Sequence, residues 1–364
     1  MTPSQSFEFE KVLSGKRILV TGHTGFSGSW ACLWLTQLGA RVAGYALPPE
    51  QTPALYEAVG AAQGIDSSFG DICDFDALTQ LFERFRPDAV LHLAAQPLVR
   101  RSYREPLSTF AVNAMGTANV LEAARATVGD CAIVCVTTDK VYRNNEWAWP
   151  YRENDPLGGK DPYSASKAAA EMIIDSYRAS FGSVDGAGLA IATARGGNII
   201  GGGDWSEDRL IPDFVRAVVQ GKRLTLRYPE ATRPWQHVLA LVQGYLMLLA
   251  GLCTEPVQYA RAWNLGPEDR RNFTVRTVME LLTENWAQPD VEYMQEPLPE
   301  AGALALDSSL ARNALGWTPP WDTRRVVAET AKWYREYYDA PDRARDISLK
   351  QLDGWRADLA NAKG

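Results

Sequence analysis

The run VCVTTDKVYRNN, residues 134–145, ends an apolar stretch with Thr138, Asp139 and Lys140 in succession. A hydroxyl, a carboxylate and an ammonium at a strand end mark either a solvated corner or a reaction centre. In a closed pocket such a trio can hold an oxygen, give a proton and take one. Further along, YSASK sets Tyr163 and Lys167 four residues apart, and therefore on one face of a helix. A phenol with a reference pKa of about 10 acts as a base near neutral pH only where a cation favours its phenolate. Lys167 is such a cation, and it can also hydrogen-bond the ribose of a nicotinamide cofactor. The Y-x-x-x-K spacing alone arises by chance in many helices, so its context decides.

That context begins with KRILVTG (16–22), a buried-strand pattern that runs straight into TGHTGFSG (21–28), with glycines at 22, 25 and 28. A glycine-rich turn between a strand and a helix lets the backbone approach a pyrophosphate, which then sits at the helix N-terminus. The spacing T-G-x-x-G-x-x-G is a weak signal by itself. Its place at the head of an alternating chain raises its weight. The end of the second strand reads GYALPPE, with no acidic residue in the place expected for a ribose 2′-hydroxyl and no arginine for a 2′-phosphate. NAD is favoured over NADP. Asp71, in FGDICD (69–74), can accept a hydrogen bond from an adenine amino group.

Strands and helices must alternate to carry these groups. Strand patterns at 16–22, 41–47, 131–138 and 189–201 are interleaved with helical ones at 28–40, 110–126 and 161–181. Between them, 78–95 holds a helix, a break at Pro87 and another strand. The rhythm implies an α/β fold of the Rossmann type, a doubly wound parallel sheet covered on both faces. After about residue 200 glycine, proline and tryptophan become frequent, as in GGGDWSEDRLIPDF and ALGWTPPW. We expect a NAD-binding domain over 14–195. A smaller, mixed, mainly substrate-binding domain follows over 196–355, with some chain returning to the first.

The 364 residues carry a net charge of −7, which gives no general electrostatic basis for nucleic-acid or anionic-membrane binding. No apolar run is long enough to span a bilayer, and the first residues lack a secretory apolar core. A cytoplasmic protein is expected. Five scattered cysteines and three histidines (His23, His92, His237) read as reduced core thiols and isolated imidazoles, with no metal site.

In order and spacing, TGHTGFSG, LHLAAQ, NAMGTANVLEA, VTTDKVY, YSASK and RGGNIIGGGDW resemble the extended short-chain dehydrogenases/reductases, specifically their nucleotide-sugar enzymes. The resemblance spans nearly the whole chain. Within the family, TTDKVY, GGGDWSEDRLIPD and RPWQHV most resemble the 4,6-dehydratases that act on CDP-glucose. Ser27 is a departure, since those enzymes commonly carry lysine there. The resemblance implies cofactor contacts from Gly22, Thr24, Gly25, Phe26, Gly28, Asp71, Ile72, Leu93, Ala94, Ala95, Tyr163 and Lys167. It implies a nucleotide-sugar substrate held by Asn198, Arg209 and Arg233. Gln96, just past the fourth strand, can reach the hexose. A homodimer packed through the helices of 110–126 and 161–181 is the family habit.

Dehydrating a hexose at C6 first requires a ketone at C4, which makes the C5 proton acidic. Tyr163 would take the O4 proton while Thr138 holds O4. The resemblance then makes Lys140 the C5 base and Asp139 the acid for water loss. Asp139 must therefore be protonated and Lys140 neutral. Desolvation favours both states, and their mutual attraction opposes both. His237 is expected to be a packed residue, and Trp205 either a pocket wall or core.

Overall fold

The computed structural model describes residues 8–182, 188–226, 228–267, 273–293 and 304–362. Seven parallel strands form the central sheet: β1 (Arg17–Thr21), β2 (Arg41–Ala46), β3 (Asp66–Phe69), β4 (Ala89–His92), β5 (Cys131–Val136), β6 (Leu189–Gly196) and β7 (Ala262–Leu265). Their spatial order is β3-β2-β1-β4-β5-β6-β7. The order reverses between β1 and β4, and such a switch point opens a crevice at the carboxyl ends of the strands.

Alternate residues of each strand serve the two faces. Ile18, Val20, Leu91, Val134 and Ala192 belong to one core, while Leu19, Val90, Ile133 and Ile191 belong to the other. The first face is covered by α1 (Phe26–Gln37) and by the almost wholly apolar α6 (Val238–Thr254). The second lies under α2 (Phe75–Phe85), α3 (Gly116–Thr127) and α4 (Pro162–Phe181). With both faces buried, the strands are runs of Val, Ile, Leu and Ala.

The elements depart from the sequence reading at their ends. The helix read over 28–40 begins at Phe26 and stops at Gln37, because Gly39 turns the chain at φ 77°. Over 110–126 the structure has a short helix (Pro106–Phe110), a π-helical turn (Ala111–Met115) and then α3. That turn carries Asn113, whose amide holds Ser166 and the backbone of Gln96. The strand read over 189–201 breaks after Gly196.

Beyond β6 lie α5 (Leu210–Gln220), α7 (Val275–Asn285), α8 (Thr323–Asp339) and α9 (Ala344–Asn361). Two short parallel strand pairs, 199–200 with 236–237 and 224–226 with 291–293, complete this part. The chain between them returns as β7 to the edge of the large sheet. Trp205 is buried among Trp333, Tyr334 and Tyr337 and donates to the Tyr338 hydroxyl. It is core, not pocket wall. All five cysteines are free thiols, but Cys73 is exposed and Cys253 half-buried, so these two are not the core thiols expected. Cys73 follows the β3 strand end at the surface.

Candidate active site

The switch-point crevice is a cleft of about 1030 Å³. Its floor is the glycine loop. Gly22 has φ 77°, and a Cβ there would stand 2.7 Å from the Ala94 nitrogen; one on Gly28 would stand 2.1 Å from the Gly22 oxygen. β1, α1 and the end of β4 can meet this closely only through glycine. Gly25 caps α1 without a side-chain bond, and the first turn has no acidic residue. The amide donors at that helix end thus suit a pyrophosphate. Thr24, Gly25, Phe26, Asp71, Ile72, Leu93, Ala94 and Ala95 line the same cleft. These residues fit a bound dinucleotide.

Across the sheet the cleft is lined by Thr138, Asp139, Lys140, Tyr163 and Lys167. Asp161 fixes the start of α4 by a capping box: its carboxylate accepts from Ser164 N at 3.0 Å, and Ser164 Oγ accepts from Asp161 N at 3.2 Å. Tyr163 and Lys167 follow on one buried face. Lys167 Nζ donates to the Val136 carbonyl at 3.0 Å, which ties the helix to the end of β5. Thr138 caps a single 3₁₀ turn, Asp139–Val141, and its hydroxyl donates to Asp139 Oδ1 at 3.0 Å.

Burial and the neighbouring groups pull the carboxyl of the trio in opposite directions. Burial raises the Asp139 carboxyl, against the opposing pull of Lys140, Thr138 and Arg233. Burial likewise pushes Tyr163 up to about 12, with Thr138 and Arg209 working against it. Lys167 shares the buried helix face with Tyr163. Its own ammonium is lowered to about 8 by burial. Burial thus disfavours the charged forms of both Tyr163 and Lys167.

On the substrate side, Asn198, Arg209 and Arg233 all line the cleft. Arg209 pairs with the buried Asp204 at 3.3 Å. Gln96 also lines it, but its side chain is committed: Nε2 donates to Thr109 Oγ1 at 2.9 Å, and Oε1 accepts from Leu98 N at 2.6 Å. These bonds fix the loop after β4 and leave the amide a second N–H and a second oxygen lone pair. Ser27 faces the cleft as well. His237 is fully buried beside Trp321 and Trp355, as a packed residue. Other lining residues carried no motif. Arg100, from the short helix Val99–Arg104, and Asp208, from the loop before α5, stand 3.7 Å apart. Glu50, four residues past β2, also lines the cleft and pairs with Arg101 at 2.7 Å. Among the described residues no cluster could hold a metal ion, and no helix is long and apolar enough to cross a membrane.

The family model described as GDP-mannose 4,6 dehydratase matches residues 19–330. A CDP-glucose 4,6-dehydratase of Salmonella typhimurium is 42% identical over 334 residues, which is 90% of this chain and 93% of that one. Among solved structures, a dTDP-glucose 4,6-dehydratase from Streptomyces venezuelae with NAD bound superposes with a TM-score of 0.75 at 25% identity, covering 89% of this chain and 98% of that one. A UDP-glucose 4-epimerase from Thermus thermophilus in complex with NAD gives 0.75 at 26% identity, covering 88% and 99%.

Proposed function

The chain belongs to the GDP-mannose 4,6-dehydratase family of extended short-chain dehydrogenases/reductases, and from that premise we propose that it is an NAD-dependent lyase converting CDP-glucose to CDP-4-keto-6-deoxyglucose. The observation that carries the proposal is the buried Asp139 carboxyl, one residue from the Thr138 hydroxyl and in the same cleft as Tyr163 and Lys167. Oxidation and return at C4 alone need only the hydroxyl, the tyrosine and the lysine. A buried acid whose pKa is raised, next to a lysine, adds what elimination requires. The 42% identical relative named for CDP-glucose supports the nucleotide.

When bound, NAD would supply the oxidation, as acceptor of the C4 hydride and its donor to C6. The glycine loop, Thr24, Phe26, Asp71, Ile72 and residues 93–95 hold it. Tyr163, as its phenolate, receives the O4 proton, with Thr138 fixing O4 by a hydrogen bond. A phenol at about 12 needs positive charge beside it at that moment, which oxidised nicotinamide carries. Lys140 removes the C5 proton. Asp139 protonates the C6 oxygen, which leaves as water, and the proton on Lys140 returns to C5. The net change is loss of one water, so the cofactor is regenerated in each cycle. Asn198, Arg209 and Arg233 supply amide and cationic donors for the diphosphate. Residues 196–355 serve mainly the nucleotide sugar. A homodimer through the 110–126 and 161–181 segments is supported by the exposed Phe110, Met115 and Met172 on them.

With CDP-, dTDP-, GDP- and UDP-glucose offered separately and no cofactor added, CDP-glucose should give a 4-keto-6-deoxy sugar fastest. Faster turnover of another nucleotide sugar would reassign the base. A requirement for stoichiometric NADH or NADPH would make the protein a reductase.

A further inference from the structure

Beneath the catalytic cleft lies a buried ion pair that the reaction above does not use. Arg195, near the end of β6, meets Glu171 of α4 in a two-pronged contact, Nε to Oε1 at 2.9 Å and Nη2 to Oε2 at 2.8 Å. Both side chains are essentially inaccessible. Two charges removed from water cost more than a well-packed apolar pair of the same shape unless their geometry and remaining bonds are nearly complete. Here they are. Glu171 Oε1 also accepts from Thr137 Oγ1 at 2.6 Å. Arg195 Nη1 donates to the Tyr142 hydroxyl at 2.9 Å and to the Glu153 carbonyl at 2.8 Å. Tyr142 in turn donates to Asn264 Oδ1 on β7 at 2.6 Å.

The residues held are the informative part. Thr137 and Tyr142 bracket the four residues between them, which include Thr138, Asp139 and Lys140. The two ends of the reactive turn are therefore bonded to one ion pair. Glu171 is four residues after Lys167 and eight after Tyr163 on the same helix, so the pair also grips the helix that carries the oxidation residues. Two residues beyond Arg195 the backbone abuts the turn, since a Cβ on Gly197 would stand 3.0 Å from Asp139 Oδ2.

We propose that the Glu171–Arg195 pair, acting through Thr137 and Tyr142, is a positioning device that sets the Asp139–Lys140 turn against the Tyr163–Lys167 helix. One bound sugar can then meet both sets of groups. Of the four only Thr137 lines the cleft, and none is given a role in the chemical steps above. Their effect is geometric, and a displacement near 1 Å in such a turn is enough to cost on the order of a hundredfold in rate.

The proposal rests on the dehydratase reading, and its test separates the two. Thr137→Val and Tyr142→Phe each remove one hydroxyl, Thr137→Ser retains it, and Arg195→Lys keeps charge without the fork. Three quantities are read with CDP-glucose: single-turnover NADH absorbance for the C4 step, exchange of C5 hydrogen with solvent deuterium, and the melting temperature. In Thr137→Val and Tyr142→Phe, the ratio of C5 exchange to NADH formation should fall roughly ten- to a hundredfold, with Thr137→Ser close to the parent. If these two variants melt lower yet keep the parental ratio well below their melting points, the pair is a stability element and the proposal is wrong. Should Arg195→Lys fail to fold, the hydroxyl variants still decide. If the unsubstituted protein shows neither NADH formation nor C5 exchange with any of the four sugars, the dehydratase reading fails, and the positioning role with it.

Discussion

At the scale of single residues, the site depends on two groups whose pKa burial raises. Tyr163 lies near 12 and Asp139 is raised. Tyr163 must ionise before it can take a proton and Asp139 must hold one before it can give it, so the two substitutions should separate the stages. Tyr163→Phe removes the O4 base, and turnover should fall by orders of magnitude while NAD binding persists. Asp139→Asn removes only the acid of the second stage, a contribution of about 10²–10⁴-fold to that step. It should lose product formation more than it loses the NADH transient. Equal loss of both signals in Asp139→Asn, or parental turnover in Tyr163→Phe, would reverse these assignments. The types and spacing of these residues were legible in the chain. Thr138 was placed with Tyr163 there too, but the nearness of Arg209 was not, because it comes from an element far along the chain.

At the scale of elements, buried imidazoles join pieces that the sequence shows only separately. His92, at the end of β4, lies between Thr21 of β1 at 2.7 Å and Thr117 of α3 at 3.0 Å. The Thr117 hydroxyl donates to the Asn113 carbonyl, so it accepts from His92 Nε2–H, and Nδ1 accepts from Thr21. The ring is neutral, and burial holds its pKa down to about 3, with Lys167 adding to the effect. His237 is likewise lowered to about 3 by burial. A group depressed in the folded state binds protons more readily unfolded. Its contribution to stability is complete above about pH 6.5 and is lost as pH falls toward 3. Between pH 7 and pH 5 each ring should cost on the order of 2 kcal/mol of unfolding free energy. Urea denaturation at the two pH values tests this, and equal stabilities would contradict it. The sequence exposed this joint only as a histidine at a strand end. Asn113, in a π-helical turn read from sequence as ordinary helix, left no periodic signal either.

At the scale of the whole molecule, the alternating sheet and its switch-point cleft could be anticipated because buried parallel strands are written as continuous apolar runs. The glycine loop is a local signal, so it was found where it lies. The pairing of Arg100 with Asp208 and of Glu171 with Arg195 depends on elements far apart in the chain, and no spacing rule announces either. Gln96, read from its position past β4 as reaching for the sugar, does line the cleft, and its bonds to Thr109 and Leu98 were not visible in the chain. The central claim is that one cleft oxidises C4 and then delivers the same hydrogen to C6. CDP-glucose carrying deuterium at C4 tests it most directly, by NMR of the product formed without added cofactor. The account predicts the label at C6 of a 4-keto-6-deoxy sugar. Label retained at C4, or released to water with no 6-deoxy product, would contradict it.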